Sequence, residues 1–222
     1  MLLFWRALYW AFEELEKNFI NIAHKKMAGI NPRKIQGRWR DGFALDVQTV
    51  SSAFLGYDEY GHKKFDTKRS EIGELLYQIK YHSNEEAIGD LVEAGVEFLK
   101  RWETGIDGII PVPPSKIRKV QPVLRVAQGL ADQSGADLLE DAVKKTREVE
   151  QLKDVLDYDK RVELLKGIFS VDKARTKDRR LLLFDDLYRS GATMNEITGM
   201  LYDEGEAEEV FALTITCTRS NA

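Results

Sequence analysis

Residues 181–193 read LLLFDDLYRSGAT, and this stretch decides the fold that we predict. Four apolar residues lead into two adjacent carboxylates, Asp185 and Asp186, and a short glycine loop then precedes a helical pattern. A buried strand that leads through a turn into a helix is typical of parallel α/β sheets, which bind ligands beyond the carboxyl ends of their strands. We therefore expect a binding site at the end of this strand.

The loop after the two acids has the composition of a phosphate cradle. Gly191 allows backbone N–H groups to turn inward, and the hydroxyl groups of Ser190 and Thr193 add donors on either side of Ala192. The helix predicted to begin near Thr193 contributes partial positive charge at its N-terminus. The loop therefore predicts binding of a phosphate monoester.

Two other interpretations of the strand remain open. A strand that ends in acids also holds magnesium in nucleotide-hydrolysing proteins, but that site needs a G-x-x-x-x-G-K-[ST] loop, which the sequence lacks. The acids could instead face solvent and cap the next turn. The glycine loop favours a ligand site over both.

Strands alternate with helices through the second half of the chain. The patterns IDGIIPV, ADLL, GIFSV and VFALTITC predict further strands, and helices are predicted over residues 122–133 and from about Thr193 to Asp203. Such alternation implies right-handed crossovers and a mainly parallel sheet covered by helices on both faces. The predicted fold class is α/β.

Two helices are predicted ahead of this region. The apolar positions between Ile72 and Ile79 share one face of a helix, and SNEE at residues 83–86 resembles a capping box that opens a second helix running to about Trp102. The charged segment 140–167 is too long for a simple connection. We expect a mobile loop in its first half and a helix in its second.

We divide the chain into residues 1–66, an N-terminal helix followed by an irregular lobe, and residues 67–222, the α/β domain. Apolar residues from Leu8 to Ile22 recur at spacings of four and three, which predicts a helix that packs on the protein or on a partner subunit. Contact with a membrane surface is the alternative for this helix.

Composition excludes few classes of function. The 33 basic and 37 acidic residues are mixed along the chain and give a net charge of -4, so charge does not indicate nucleic-acid contact. The single cysteine, Cys217, lies in an apolar run, which predicts a buried thiol and excludes a disulfide framework. This cysteine usage fits a reducing, cytoplasmic location. No stretch approaches the length of a membrane span.

LLLFDDLYRSGAT resembles the phosphoribosyl-diphosphate (PRPP) signature of the type I phosphoribosyltransferases. IDGIIPVPPSKIRKVQPVLRVAQGLA and KKTREVEQLKDVLDYDKRVELLKGIFSV are similar to stretches of the ComF-like branch of that family. The resemblance covers about residues 70–219. It implies the type I phosphoribosyltransferase fold, with residues 1–66 as a hood or interaction module.

The resemblance also implies a role for each candidate site residue. The loop of Arg189, Ser190, Gly191, Ala192 and Thr193 would hold the 5-phosphate of PRPP, and Asp185 and Asp186 would accept hydrogen bonds from the ribose hydroxyls. In PVPPSKIR, Ser115 would donate to the diphosphate, and Lys116 or Arg118 would supply positive charge to it. A closing loop that excludes water would contain Lys144, Lys145 and Arg147. Mg²⁺ would be carried by PRPP, near the two acids.

The implied activity is magnesium-dependent transfer of phosphoribosyl from PRPP to a nitrogen nucleophile, with release of diphosphate. The alternative is a PRPP-binding regulatory protein, or a ComF-like accessory protein of competence and DNA uptake, without turnover. The implied partners are PRPP and a nitrogen acceptor that the sequence does not identify. A homodimer is a separate expectation. Two features depart from the family: Arg189 stands where Thr or Ser is usual, and the cysteine-rich zinc module of the ComF-like branch is absent.

Overall fold

A computed structural model describes residues 29–116, 119–147 and 157–219. The predicted helix between Leu8 and Ile22 lies outside these residues, as does Arg118.

The described residues build a six-stranded central sheet. Its strands, in spatial order, are β1 (Arg33–Lys34), β2 (Asp41–Val47), β10 (Glu209–Cys217), β9 (Arg180–Tyr188), β5 (Gly108–Pro111) and β6 (Asp137–Leu138). Every neighbouring pair is parallel except β1 and β2. The predicted α/β class with a mainly parallel sheet flanked by helices is confirmed.

Helices cover both faces of the sheet. They are α1 (Glu71–His82), α2 (Glu86–Trp102), α3 (Pro122–Ser134), α4 (Tyr158–Leu165), α5 (Lys173–Thr176) and α6 (Ala192–Asp203). One core lies between the sheet and α1, α2 and α3, and the other lies between the sheet and α4 and α6. Successive residues of β9 alternate between the two cores, since Leu182 and Phe184 enter the first whereas Leu181 and Leu183 enter the second.

Strand β2 comes from the part of the chain that we expected to form an irregular lobe. It pairs in parallel with β10, from Phe211 opposite Asp41 to Cys217 opposite Val47. Residues before position 67 therefore complete the central sheet. The division of the chain at residues 66 and 67 remains a prediction.

A separate hairpin follows β2. Its strands, β3 (Thr49–Tyr57) and β4 (Lys63–Arg69), pair only with each other among the described strands. Phe54 and Phe65 face each other across it, and both are about half exposed. The hairpin leaves the central sheet at the carboxyl end of β2, which is the edge where β9 also ends.

The strand predicted from GIFSV is present, but its placement in the central sheet was wrong. β8 (Phe169–Val171) pairs antiparallel with β7 (Val143–Lys145) in a sheet of two strands. Periodicity identifies an extended apolar segment but does not specify its partner. The predicted helix in the second half of the long charged segment is confirmed as α4.

The capping box predicted at residues 83–86 was wrong. Ser83 ends α1 with a left-handed φ of 53°, and its N–H bonds to the carbonyl oxygen of Gln78. Glu85 is the N-cap of α2 and makes no side-chain capping bond. At the start of α2, Asn84 Oδ1 accepts the N–H of Glu86 at 3.1 Å, so the side chain of Asn84 makes the bond that was predicted for Ser83.

Helix α1 crosses the carboxyl edge of the sheet from β2 towards β9. Its N-cap, Ser70, accepts a hydrogen bond from the Gly73 N–H and donates one to the Val47 carbonyl oxygen. A Cβ at Gly73 would lie 2.2 Å from the carbonyl oxygen of Gln48, so glycine allows this close start. The seven residues from Gly73 to Lys80 advance about 10 Å, roughly the width of two strand spacings.

Within the described residues, we find no helix with both the length and the apolar character needed to cross a membrane.

Candidate functional site

The two adjacent acids of β9 lie on opposite faces of the sheet. Asp185 follows the alternation of Leu181 and Leu183 and lines a cavity on the side of α4 and α6. Asp186 points to the other side, where it pairs with a lysine of α1. The structure thus gives the two carboxylates different surroundings. Their joint contact with a ribose remains a prediction.

The loop after β9 lines this cavity, which has a volume of about 90 Å³. Gly191 is the N-cap of α6 with a φ of 73°, a left-handed conformation that favours glycine. A Cβ at this position would lie 2.8 Å from Cε2 of Tyr188. Arg189, Ser190, Ala192 and Thr193 also line the cavity, so all five residues predicted for the phosphate loop lie together at the start of a helix.

A second arginine lines the same cavity from α4. The side chain of Arg161 is half-buried, and the positive charge of Arg189 contributes, after burial itself, to lowering its pKa. Arg189 is exposed and is among the residues that line the cavity. Two guanidinium groups and a helix N-terminus give the cavity a strong preference for anions.

Lys80 is the partner of Asp186. Its Nζ lies 2.8 Å from Asp186 Oδ2, and the two side chains are 11% and 22% exposed. The Thr216 hydroxyl donates to the carbonyl oxygen of Asp186 and fixes the backbone at this point. Asp186 is therefore held by a charged partner from α1 and by its neighbouring strand.

Asp185 lacks such a direct partner in the described ion pairs and is partly buried. Its Oδ1 accepts the N–H of Asp186 at 2.7 Å. Loss of hydration, followed by repulsion from Asp186, raises the pKa of Asp185 to about 8, although Lys80 and Lys145 oppose the shift. A carboxyl group in this state gains from a ligand that brings hydroxyl donors or positive charge.

The predicted diphosphate loop follows β5, the neighbour of β9. The Val112 N–H bonds to the carbonyl oxygen of Phe184, which places the start of this loop beside the two acids. Ser115 and Lys116 are exposed and do not line the cavity. The loop thus lies at the predicted edge of the sheet, on the opposite side of β9 from β10.

The residues predicted for the closing loop are divided in the structure. Lys145 donates to the Pro114 carbonyl oxygen at 2.9 Å, which ties β7 to the predicted diphosphate loop. Lys144 instead pairs with Asp141 on the surface. Arg147 donates to the carbonyl oxygen of Lys166. Residues 148–156, the remainder of the predicted closing loop, lie outside the described residues.

Binding of a magnesium ion that is delivered by a ligand remains a prediction. Among residues 29–116, 119–147 and 157–219, no cluster of three or more His, Cys, Asp or Glu side chains could hold a metal ion. Mg²⁺ is commonly held by one or two carboxylates together with substrate phosphates. Asp185, at the edge between the cavity and the diphosphate loop, is suited to that arrangement.

Sequence reasoning missed Lys80 and Arg161. Position 80 lies one helical turn after Leu76, on the face that α1 buries, and a lysine on such a face signals a partner charge. Arg161 belongs to the charged stretch that resembles the ComF-like branch. The residues three and four positions away from it form no pattern that separates it from charged residues that face solvent. Only the packing of α4 against α6 reveals it.

The chain matches no family model and no curated protein. Its fold is similar to several solved structures. The allosteric regulatory enzyme of purine biosynthesis matches with 20% identity and a TM-score of 0.40, over 68% of this chain and 28% of that one. The glutamine PRPP amidotransferase of B. subtilis matches with 18% identity and a TM-score of 0.45, over 71% of this chain and 34% of that one.

The adenine phosphoribosyltransferase of Saccharomyces cerevisiae matches with 15% identity and a TM-score of 0.41, over 74% of this chain and 84% of that one. Of these three proteins, the second has PRPP in its name and the third is named as a phosphoribosyltransferase. The chain spans about a third or less of the first two. At this identity and with TM-scores under 0.5 the likenesses do not assign a function, so we argue it from the site's own residues.

Proposed function

We propose that the protein is a phosphoribosyltransferase that uses PRPP. The observation that carries the proposal is the cavity in which Gly191, at the N-terminus of α6, meets Arg161, Arg189 and Asp185. Such a site offers donors and positive charge to a phosphate and a carboxylate to neighbouring hydroxyls. A sugar phosphate carries both a phosphate and hydroxyl groups, whereas a free phosphate carries no sugar hydroxyl that Asp185 could bind.

The proposed binding mode assigns the 5-phosphate to the loop of residues 189–193. Asp185 would accept a hydrogen bond from a ribose hydroxyl. Asp186, which is held by Lys80, would add negative charge near the sugar. When the bond from C1 to the diphosphate breaks, the ribose ring becomes cationic. Carboxylates placed at the ring would then stabilise the transition state more than the ground state.

The diphosphate would lie over the loop that follows β5. Ser115 and Lys116 would bind it, with Arg118 as a further candidate outside the described residues. Mg²⁺ would neutralise part of its charge. Lys145 already contacts this loop through the Pro114 carbonyl oxygen, so ordering the loop and the segment 144–147 together would exclude water from C1.

A nitrogen nucleophile is the proposed acceptor, and the ComF-like branch is the proposed relationship. Both extend the resemblance in residues 70–219. The protein should release diphosphate when it is incubated with PRPP, Mg²⁺ and one of a panel of purines, pyrimidines and ammonia. Asp186→Asn should abolish release, whereas Asp132→Asn, an exposed acid of α3, should not. PRPP binding without release for any acceptor would contradict the transferase assignment.

A second candidate is a PRPP-binding regulatory protein or a ComF-like competence accessory protein, without turnover. The observation in its favour is that Ser115 and Lys116 are exposed and away from the cavity. A protein that only senses PRPP needs the phosphate loop but no group on the leaving diphosphate. Release of diphosphate that depends on Asp186 would exclude this candidate.

A further inference from the structure

The phosphate cavity contains a charge that the loop sequence does not account for. Arg161 belongs to α4, about thirty residues before the phosphate loop, yet it lines the same cavity as Ser190 and Gly191. Loops of this kind hold a phosphate with their own amides and hydroxyls. A guanidinium group contributed by a separate helix therefore needs its own explanation.

Ion pairing within the protein does not explain Arg161. Across the described residues, none of the ion pairs includes it. Asp157, one turn earlier on the same helix, uses its carboxylate to cap α4 at the Lys160 N–H. Asp185 is the carboxylate among the cavity-lining residues, and it forms no ion pair with Arg161.

Like charge makes this position costly. Arg189 is close enough for its charge to disfavour the protonated form of Arg161, which is itself half-buried. An anion bound beside Arg161 would offset both the effect of this neighbouring positive charge and the loss of hydration. The protonated side chain of Arg161 is thus more favourable with an anionic ligand than without one.

Helix α4 is fixed in a way that keeps Arg161 at the cavity. The helix packs against α6, and the Tyr158 hydroxyl lies 3.4 Å from Nδ2 of Asn195. Asn195 in turn accepts the Arg38 N–H through Oδ1 at 2.7 Å. These contacts join α4 to the first turn of α6, where the phosphate loop ends.

We propose that Arg161 is a second arm of the anion site, which binds the terminal phosphate of a phosphate monoester from the side opposite the loop. The ligand would receive amide and hydroxyl donors from residues 189–193 and a bidentate guanidinium from α4. The inference rests on the proposed function only for the identity of the sugar.

The test compares ribose 5-phosphate, inorganic phosphate and PRPP by calorimetry on wild type, Arg161→Gln and Arg161→Lys. Arg161→Gln should weaken ribose 5-phosphate binding by on the order of 10- to 100-fold, the range expected for a charged hydrogen bond. The affinity of Arg161→Lys should lie between those of wild type and Arg161→Gln, because lysine keeps the positive charge but cannot make the bidentate hydrogen bond of a guanidinium group. Lys160→Gln removes a neighbouring exposed charge from the same helix and should change the affinity less than twofold.

Thermal unfolding separates a binding role from a structural one. Without ligand, Arg161→Gln should melt no lower than wild type, because it removes a repulsion, whereas the shift produced by saturating ribose 5-phosphate should shrink. A lower melting temperature without ligand, together with unchanged affinity, would overturn the inference. Unchanged phosphate affinity with intact PRPP binding would overturn it and leave the proposed function standing. Failure of wild type to bind any of the three ligands would overturn both.

Discussion

The ion pair between Lys80 and Asp186 allows a quantitative prediction. Lys80→Met keeps most of the length and apolar stem of the side chain and removes the charge that lies 2.8 Å from Asp186. At an effective dielectric constant of 20, the attraction at this distance is about 6 kcal/mol before the cost of removing both ions from water. Breaking a buried pair costs roughly 3–5 kcal/mol, and a surface pair about 0–1 kcal/mol.

The exposure of the pair places the expected loss between these limits. Lys80 is 11% exposed and Asp186 is 22% exposed, so water can still hydrate part of the Asp186 carboxylate after the lysine is removed. We expect Lys80→Met to lower the free energy of unfolding by about 2–3 kcal/mol, which corresponds to roughly 4–12 °C in melting temperature for a chain of this size. Arg125→Met, which removes an exposed pair with Glu85, should cost under about 1 kcal/mol.

Chemical and thermal unfolding measure both variants, and a double variant identifies the cause. Lys80→Met with Asp186→Leu removes the stranded charge and should recover at least half of the loss. If the double variant is no more stable than Lys80→Met, the loss comes from the packing of the lysine stem. If Lys80→Met is as stable as wild type, the pair does not hold Asp186, and the reasoning about the site is wrong.

Three further predictions concern the same edge of the sheet. The pKa of Asp185 in the folded protein, about 8, lies above the ordinary 3.8, so its contribution to stability is complete below about pH 4 and is lost as the pH rises through 8. In urea titrations, the free energy of unfolding of Asp185→Asn should therefore rise relative to that of wild type as the pH increases over this range. Gly191→Ala should lower the melting temperature, since the residue has φ of 73° and Cβ would lie 2.8 Å from Tyr188; equal stability would contradict this geometry. Ser83→Gly should raise the free energy of unfolding by about 0.5–1 kcal/mol in denaturant, because Ser83 ends α1 at a φ of 53°; a loss would show that its side chain matters more than its backbone.

The sequence predicts the part of the fold that periodicity and glycine positions control. β9, β10, α3 and the start of α6 lie where their patterns indicate. Gly135 ends α3 in a left-handed conformation, with a φ of 78°. Pairing was not predictable in the same way. The strand patterns do not specify that Asp41–Val47 joins β10, or that Phe169–Val171 pairs with Val143–Lys145, because strand partners depend on packing across the whole chain.

In the candidate site, too, residues that are contiguous in sequence could be predicted, whereas residues that come together only in the fold could not. The loop of residues 189–193 is contiguous in sequence, so its composition and order predict a phosphate cradle, and the structure brings all five residues to one cavity. Lys80 and Arg161 reach the site from helices that are distant in sequence. A single charged residue on a helix does not differ from a solvated one until its neighbours in space are known.

Direct binding of PRPP to the phosphate loop is the central claim, and calorimetry with wild type and Gly191→Val tests it. Wild type should bind PRPP, and more tightly with Mg²⁺ than without. Gly191→Val should bind at least tenfold more weakly in both conditions, because a branched side chain at a φ of 73° would disrupt the inward-facing amides. Circular dichroism should show that the variant remains folded. Equal PRPP affinity in the folded variant and wild type would contradict the account.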